Sequence, residues 1–343
     1  MRKRSFILIY CLIGILLFLT YLFISDPTQF NETDLFYHKD AIKLSKELAR
    51  ETWRDFDLTQ IPVAYRKGDR EYLVINDQVK ARKPVLPVLA ATAFLVDGQI
   101  QAFVPGKTEM DRIGVLVEGV TNGSVEEIFI QRFSFAEEDK VPDSLYLAVI
   151  LHEAFHVYQL EQWGFKLLEN TRELTNISEK EEKRIEEQLI NLTKDQHISE
   201  WYQKEADLLF RILNAETKEK VLFLLNEFFD IRDTRRSRIK ELLGIKGYMI
   251  AVAYERFYEL MEGTATYFMV TALQKKGEEE LMQQFLKRLE HLEKDKNRFY
   301  TLGMGICLVL DKWGQKGWHQ HLFKSEVEPI SLEELLHKML KAN

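Results

Sequence analysis

The chain has almost nothing with which to staple itself: 343 residues hold two cysteines, Cys11 and Cys307. Cys11 sits in an apolar leader, so the remainder has no internal disulfide and its stability must come from packing. The residues before it, Leu8-Ile9-Tyr10, lack the small side chain expected beside a lipid-modified cysteine. Surplus positive charge is also missing. Lys and Arg number 47 against 54 Asp and Glu, a net charge of −7, so there is no basic surface for nucleic acid. Internal repeats and low-complexity tracts are absent, and Leu302 to Leu310 is too short for a second membrane span. Gly303 and Gly305 open no phosphate-binding loop, since Leu308 stands at the third glycine position and no strand pattern precedes them.

One long apolar run is present. Arg2-Lys3-Arg4 precedes Ser5 to Ser25, a stretch without a charged residue and long enough to span a hydrocarbon core. The basic cluster orients the N-terminus to the cytoplasm and everything after residue 25 to the outside. Two readings compete. The run is longer than a usual signal-peptide core and no small-x-small cleavage site follows it, which favours an uncleaved anchor over a cleaved signal peptide.

The chemistry-bearing feature is His152-Glu153-Ala154-Phe155-His156, an HExxH pattern. With 8 histidines and 54 acids in 343 residues, chance supplies at most about 0.03 such matches. Pro142-Asp143-Ser144 provides a helix start, and Leu145 to Leu151 and Val157 to Leu160 flank the motif with apolar residues, so the helix is expected to be buried nearly all round. On a helix, His152 and His156 share a face, with Cβ atoms about 5–6 Å apart. Two imidazoles at that spacing can bind one Zn²⁺. Glu153 lies about 100° round from His152 and about 60° from His156, where its carboxylate can reach a water on the metal rather than the metal itself. A buried carboxylate between two buried histidines is costly without compensation, and a dication supplies it.

Four segments follow from the pattern: the anchor over 1–25, a stalk or first helix over 26–60, a sheet lobe ending in the HExxH helix over 61–163, and a helical lobe over 164–343. Lys39 to Trp53 has helical periodicity, and strand periodicity runs from Tyr72 to Phe135. Asp97-Gly98 marks a tight hairpin and Asn122-Gly123 a looser one, so a small, mainly antiparallel sheet is expected ahead of the motif helix. Beyond it, Ser178 to Thr193 reads as a solvated charged helix or a mobile insertion. Helices are expected over Trp201 to Leu213, Lys218 to Leu243, Ile245 to Leu273, Glu278 to Leu292 and Arg298 to Trp313.

A catalytic zinc site needs a third protein ligand and an open position. Glu262, in Glu262-Gly263-Thr264-Ala265-Thr266-Tyr267, stands in an otherwise apolar helix before a glycine that permits close approach. Glu255, Glu259 and Glu262 share one face, and Arg232, Arg235, Arg236, Arg238 and Arg256 are cations available to them. The competing ligand is Glu173, nearer to the motif but in a polar stretch. His319 and His321 are given a surface or packing role, because no third-ligand pattern accompanies them.

Together, HEAFH and the later E-G-x-A-x-Y context resemble the gluzincin branch of the zincin metallopeptidases. The resemblance implies an α+β, zincin-like fold in which a sheet precedes the HExxH helix and a largely helical lobe follows. It further implies His152, His156 and Glu262 as metal ligands and Glu153 as general base. It departs in spacing: 262 − 156 = 106 residues separate the second histidine from the glutamate, where many gluzincins have about twenty. An oxyanion donor is also required. Tyr267, Tyr258, Tyr254 and His197 are its candidates. The expected activity is that of a membrane-anchored, outward-facing zinc metallopeptidase acting on peptides or proteins. The alternatives are an inactive zincin-like domain that binds a partner at the membrane, and a metal-dependent hydrolase of a non-peptide amide or ester.

Overall fold

The computed structural model describes residues 30–76, 78–87, 89–113, 115–118, 129–132, 141–162, 166–323 and 330–341. The expected anchor over 1–25 lies outside them. Among the described residues, no helix is long and apolar enough to cross a membrane.

Helix α1, Glu32–Glu51, begins with a capping box. The Asn31 side chain accepts from the Asp34 N–H at 3.1 Å, and the Asp34 carboxylate accepts from the Asn31 N–H at 2.9 Å. The helix therefore starts seven residues before the periodic stretch at Lys39 that announces it (39 − 32 = 7). It buries Ala41, Leu44 and Leu48 and delivers Trp53 to the core.

Five strands follow: β1 (Val63–Lys67), β2 (Arg70–Ile75), β3 (Gln78–Arg82), β4 (Thr92–Val96) and β5 (Gln99–Pro105). They form one sheet in the order β3-β2-β1-β5-β4. The Asp97-Gly98 hairpin forms as expected, with Val96 paired to Gln99 and positive φ at both turn residues, 49° and 82°. Three of the four strand pairs are antiparallel, but β1 pairs with β5 in parallel, Val63 opposite Ala102. The expected small, mainly antiparallel sheet is present, made mixed by one parallel pair that the sequence did not announce. Turn residues specify each hairpin locally, whereas the edge by which two hairpin units join is decided by packing on a shared core. Strand β1 also precedes the stretch with obvious strand periodicity.

Helix α2 (Lys107–Ile113) leads to a separate antiparallel pair, β6 (Val115–Glu118) with β7 (Phe129–Arg132). The Asn122-Gly123 turn expected between them lies outside the described residues.

Helix α3, Asp143–Gln162, carries the HExxH motif and is buried at every position from Ser144 to Gln159. It lies between strand β5 and a long helical element. The remaining helices are α4 (Lys166–Thr175), α5 (Glu179–Asn191), α6 (Gln196–Leu213), α7 (Lys218–Lys275), α8 (Glu279–Lys287), α9 (Asn297–Trp313) and α10 (Leu332–Lys341). Gly244, with φ 70° and ψ 177°, breaks α7 into the two helices that the sequence separates at this glycine. The charged segment after Ser178 is a capped helix with one packed face: Glu182, Ile185, Glu186 and Leu189 of α5 are buried.

The second half of α7 crosses α9 at glycines. A Cβ on Gly303 would lie 2.2 Å from the Glu259 carbonyl oxygen, and one on Gly263 would lie 2.5 Å from the Gly303 Cα. Backbone therefore meets backbone where any side chain would force the helices apart. This contact sets the depth at which α7 presents Glu262 to α3.

Candidate metal centre

His152 and His156 project from α3 and Glu262 from α7, and all three are buried. His152 Nε2 lies 3.1 Å from His156 Nε2, and Glu262 Oε2 lies 3.3 Å from His156 Nε2 and 3.8 Å from His152 Nε2. A tetrahedral ion with donors about 2.0–2.1 Å away sets those donors about 3.4 Å apart, so the observed spacings bracket the requirement. Among the described residues, this is the one group of three or more His, Cys, Asp or Glu side chains close enough to hold a metal ion. The competing ligand Glu173 is exposed on α4.

A polar relay fixes the proton on His156. Thr264 Oγ1 donates to the Leu260 carbonyl at 2.6 Å. It therefore accepts from Gln159 Nε2, also at 2.6 Å, while that amide donates a second bond to the Met261 carbonyl at 2.8 Å. With its NH₂ so committed, Gln159 offers its oxygen to His156 Nδ1 at 2.7 Å. Nδ1 must carry the proton, and Nε2 turns a lone pair to the centre. A lone pair 3.3 Å from a carboxylate is repulsive, and a cation between them relieves it. The other Glu262 oxygen, Oε1, is buried with no hydrogen-bond partner. The donor set, its spacing and this open acceptor all fit a divalent ion.

Sequence reasoning missed Gln159 and Thr264. Gln159 was findable, since it follows His156 by three residues on the same helix face. Thr264 was not, because its partner is 105 residues away. Replacing Gln159 by leucine is expected to weaken metal binding about 10–100-fold. Competition with a chromogenic chelator measures this, and the structure predicts a smaller loss for Thr264→Val, which keeps Gln159 in place.

The acids preceding Glu262 find arginines rather than metal. Arg232 binds Glu259 through two nitrogens at 2.6 and 3.2 Å and Glu205 at 2.9 Å. Arg235 bridges Glu205 and Glu255, both at 2.5 Å, and lies over the Tyr202 ring at 3.8 Å. Arg236 joins Glu255 to Glu333, which also binds Arg256 at 2.9 Å. Arg238 is directed elsewhere, to Asp195 and Glu241. The network clamps both halves of α7 to α6 and α10, so the helix carrying Glu262 is held by charge as well as by the glycine crossing.

The candidate oxyanion donors are each engaged by other partners. Tyr267 donates its hydroxyl proton to Asp311 and meets His319 Nε2 at 3.0 Å. The Tyr254 hydroxyl binds Glu182 at 3.0 Å, the Tyr258 hydroxyl binds Glu186, and His197 is exposed beside Trp201. His152, Glu153 and His156 come from one helix turn as expected, with Glu153 buried at 1% exposure. No family model matches the chain, and no curated protein or solved structure matches it either.

Proposed function

We propose that the protein is a zinc-dependent metallopeptidase of gluzincin type, tethered by its N-terminal apolar run and acting outside the cytoplasm on peptides or proteins. The observation that carries the reading is the approach of Glu262, from 106 residues downstream, to the two histidines of an HExxH helix. Three ligands with a carboxylate one position along the helix suit a catalytic zinc, which keeps one position for water, better than a structural site, which has four protein ligands.

His152, His156 and Glu262 would hold the ion. When bound, zinc supplies Lewis acidity toward water and a substrate carbonyl. Gln159 keeps the His156 lone pair aimed inward. Glu153 accepts the proton of the attacking water and returns it to the departing amide nitrogen. Glu262, as a ligand, would bring negative charge to the ion, which leaves Glu153 as the carboxylate free to act as base.

A second reading, a zincin-like domain that binds a partner without turnover, is favoured by one observation. His152, Glu153, His156 and Glu262 are 1–2% exposed, so a polypeptide reaches them only if the packing around them opens. The reading is tested by elemental analysis of the purified full chain in detergent. One zinc per chain, lost in Glu262→Ala, is expected. Absence of metal after zinc is supplied would overturn it. A screen of peptide, ester and non-peptide amide substrates then separates peptidase from other hydrolase activity.

A further inference from the structure

A second polar cluster lies five residues past Glu262 along α7, where Tyr267 meets Asp311 of α9 and His319 (267 − 262 = 5). Its proton positions follow from valence. The Tyr267 hydroxyl has one proton, and the Asp311 carboxylate can only accept it. His319 Nε2 must therefore be the donor in its 3.0 Å bond to Tyr267. Trp318 Nε1 donates to the other Asp311 oxygen at 2.8 Å. Burial holds His319 down at about 3, so it is neutral at physiological pH. Asp311 thus receives hydrogen bonds from neutral groups, and among the described residues no lysine or arginine pairs with it. Burial pushes its carboxyl up, against the pull of Tyr267 and Trp318. The tautomer leaves His319 Nδ1 as an acceptor, and that atom is buried with no hydrogen-bond partner.

The cluster borders a cavity of about 290 Å³ formed where the end of α1, the last turns of α7 and the end of α9 meet. Asp311, 40% exposed, stands on its wall with Tyr267, Thr271 and His319. Lys275 and Glu51 also border it, bound to each other at 2.6 Å, so the lysine is already neutralised. Thr271 donates to the Tyr267 carbonyl at 2.9 Å, which leaves its oxygen lone pairs available. No metal-centre residue borders the cavity.

We propose that this cavity is a binding site for a small primary ammonium group, held against the Asp311 carboxylate and the Thr271 hydroxyl. The open demand on the cavity wall, a carboxylate with no lysine or arginine paired to it among the described residues, calls for positive charge and N–H groups. An anion is disfavoured because Lys275 is spent on Glu51. A metal ion is disfavoured because the cavity offers one carboxylate, while the neighbouring Tyr267 oxygen and His319 Nε2 are bound to each other. A primary ammonium carries three donors and a compact charge, which matches a carboxylate flanked by a hydroxyl. The cavity volume accommodates a group of amino-acid size. The site stands independently of the metallopeptidase reading.

The test is calorimetric titration of the full chain in detergent with glycinamide, which carries the ammonium without a carboxylate. N-acetylglycinamide serves as the uncharged control and glycylglycinamide as the peptide form. Saturable binding of glycinamide with a dissociation constant on the order of 1 mM or tighter is expected, with no heat from the acetylated control. Asp311→Asn keeps a side chain that can satisfy Trp318 and is expected to weaken binding about 10-fold or more. Thr271→Val leaves the Asp311 cluster intact and gives a second, independent loss. Glycylglycinamide binding as tightly as glycinamide identifies the ligand as a peptide N-terminus, and glycylglycinamide excluded identifies a free amine. Equal heats from the acetylated control, or unchanged affinity in both variants, would overturn the site.

Discussion

Glu153→Gln is expected to retain zinc at the wild-type level while losing about 10²–10⁴-fold in hydrolysis of any accepted substrate. Glutamine is isosteric with glutamate, and residue 153 is buried within a helix that is itself buried from Ser144 to Gln159, so neither packing nor helix position changes. The three proposed ligand atoms belong to His152, His156 and Glu262, so removing the carboxylate at 153 would leave the donor set whole. What disappears is the group proposed to take a proton from water and pass it to the leaving nitrogen. The comparison is made at matched metal content, by initial rates on the best substrate from the screen. Full activity in the variant would assign the base elsewhere. Loss of metal together with activity would make Glu153 a ligand.

The other large effect is expected away from the metal, in the ion network behind Glu262. Arg235→Met should cost about 3–5 kcal/mol of stability, because Glu205 and Glu255 are left charged and buried with one cation fewer. The Arg235 side chain and both acids are 0–1% exposed, so water cannot replace the lost guanidinium. Urea unfolding followed by far-ultraviolet circular dichroism measures the loss. Arg238→Met serves as the control and should leave the midpoint unchanged, since Arg238 pairs at the surface. A comparable loss in both variants would show that helix packing, not charge compensation, sets the value. The network also predicts an acid transition. Burial would raise the Glu333 carboxyl, but Arg236, followed by Arg232 and Arg256, holds it down at about 2. A carboxyl whose folded value is depressed contributes stability that is fully present above its ordinary 4.5 and is lost as pH falls toward 2. Unfolding midpoints measured between those limits should fall with pH.

Much of the site was legible because its signals are short-range. His152 and His156 declare themselves through helical spacing, and the apolar residues around them announce a helix with no exposed face. Glu262 was recognisable as an acid in a run with nowhere to be solvated, followed by a glycine that the structure sets against Gly303. The same argument required cations for Glu255 and Glu259, and Arg232, Arg235 and Arg236 supply them. The acids on the far side of those arginines, Glu205 and Glu333, were not legible. Each lies on another helix, and nothing local distinguishes it from a solvated glutamate. The partners of Tyr267 were hidden for the same reason: Asp311 is 44 residues away and His319 is 52.

By itself, the sequence determined the periodic elements and their ends: the Asp97-Gly98 hairpin, the helix carrying the motif, and the break at Gly244. These depend on backbone sterics and on burial patterns within a few turns, which neighbouring residues settle among themselves. Tertiary structure decided which distant surfaces meet. It joined β1 to β5 in parallel, packed the charged α5 with Glu182 and Glu186 inward, and left Glu173 in solvent. It also chose Glu262 as the neighbour of the two histidines. Such contacts join residues far apart in the chain, from 39 between Val63 and Ala102 (102 − 63) to 106 between His156 and Glu262 (262 − 156), and no local preference selects them. They form because burying apolar faces leaves few arrangements in which every interior charge and hydrogen-bonding group finds its counterpart.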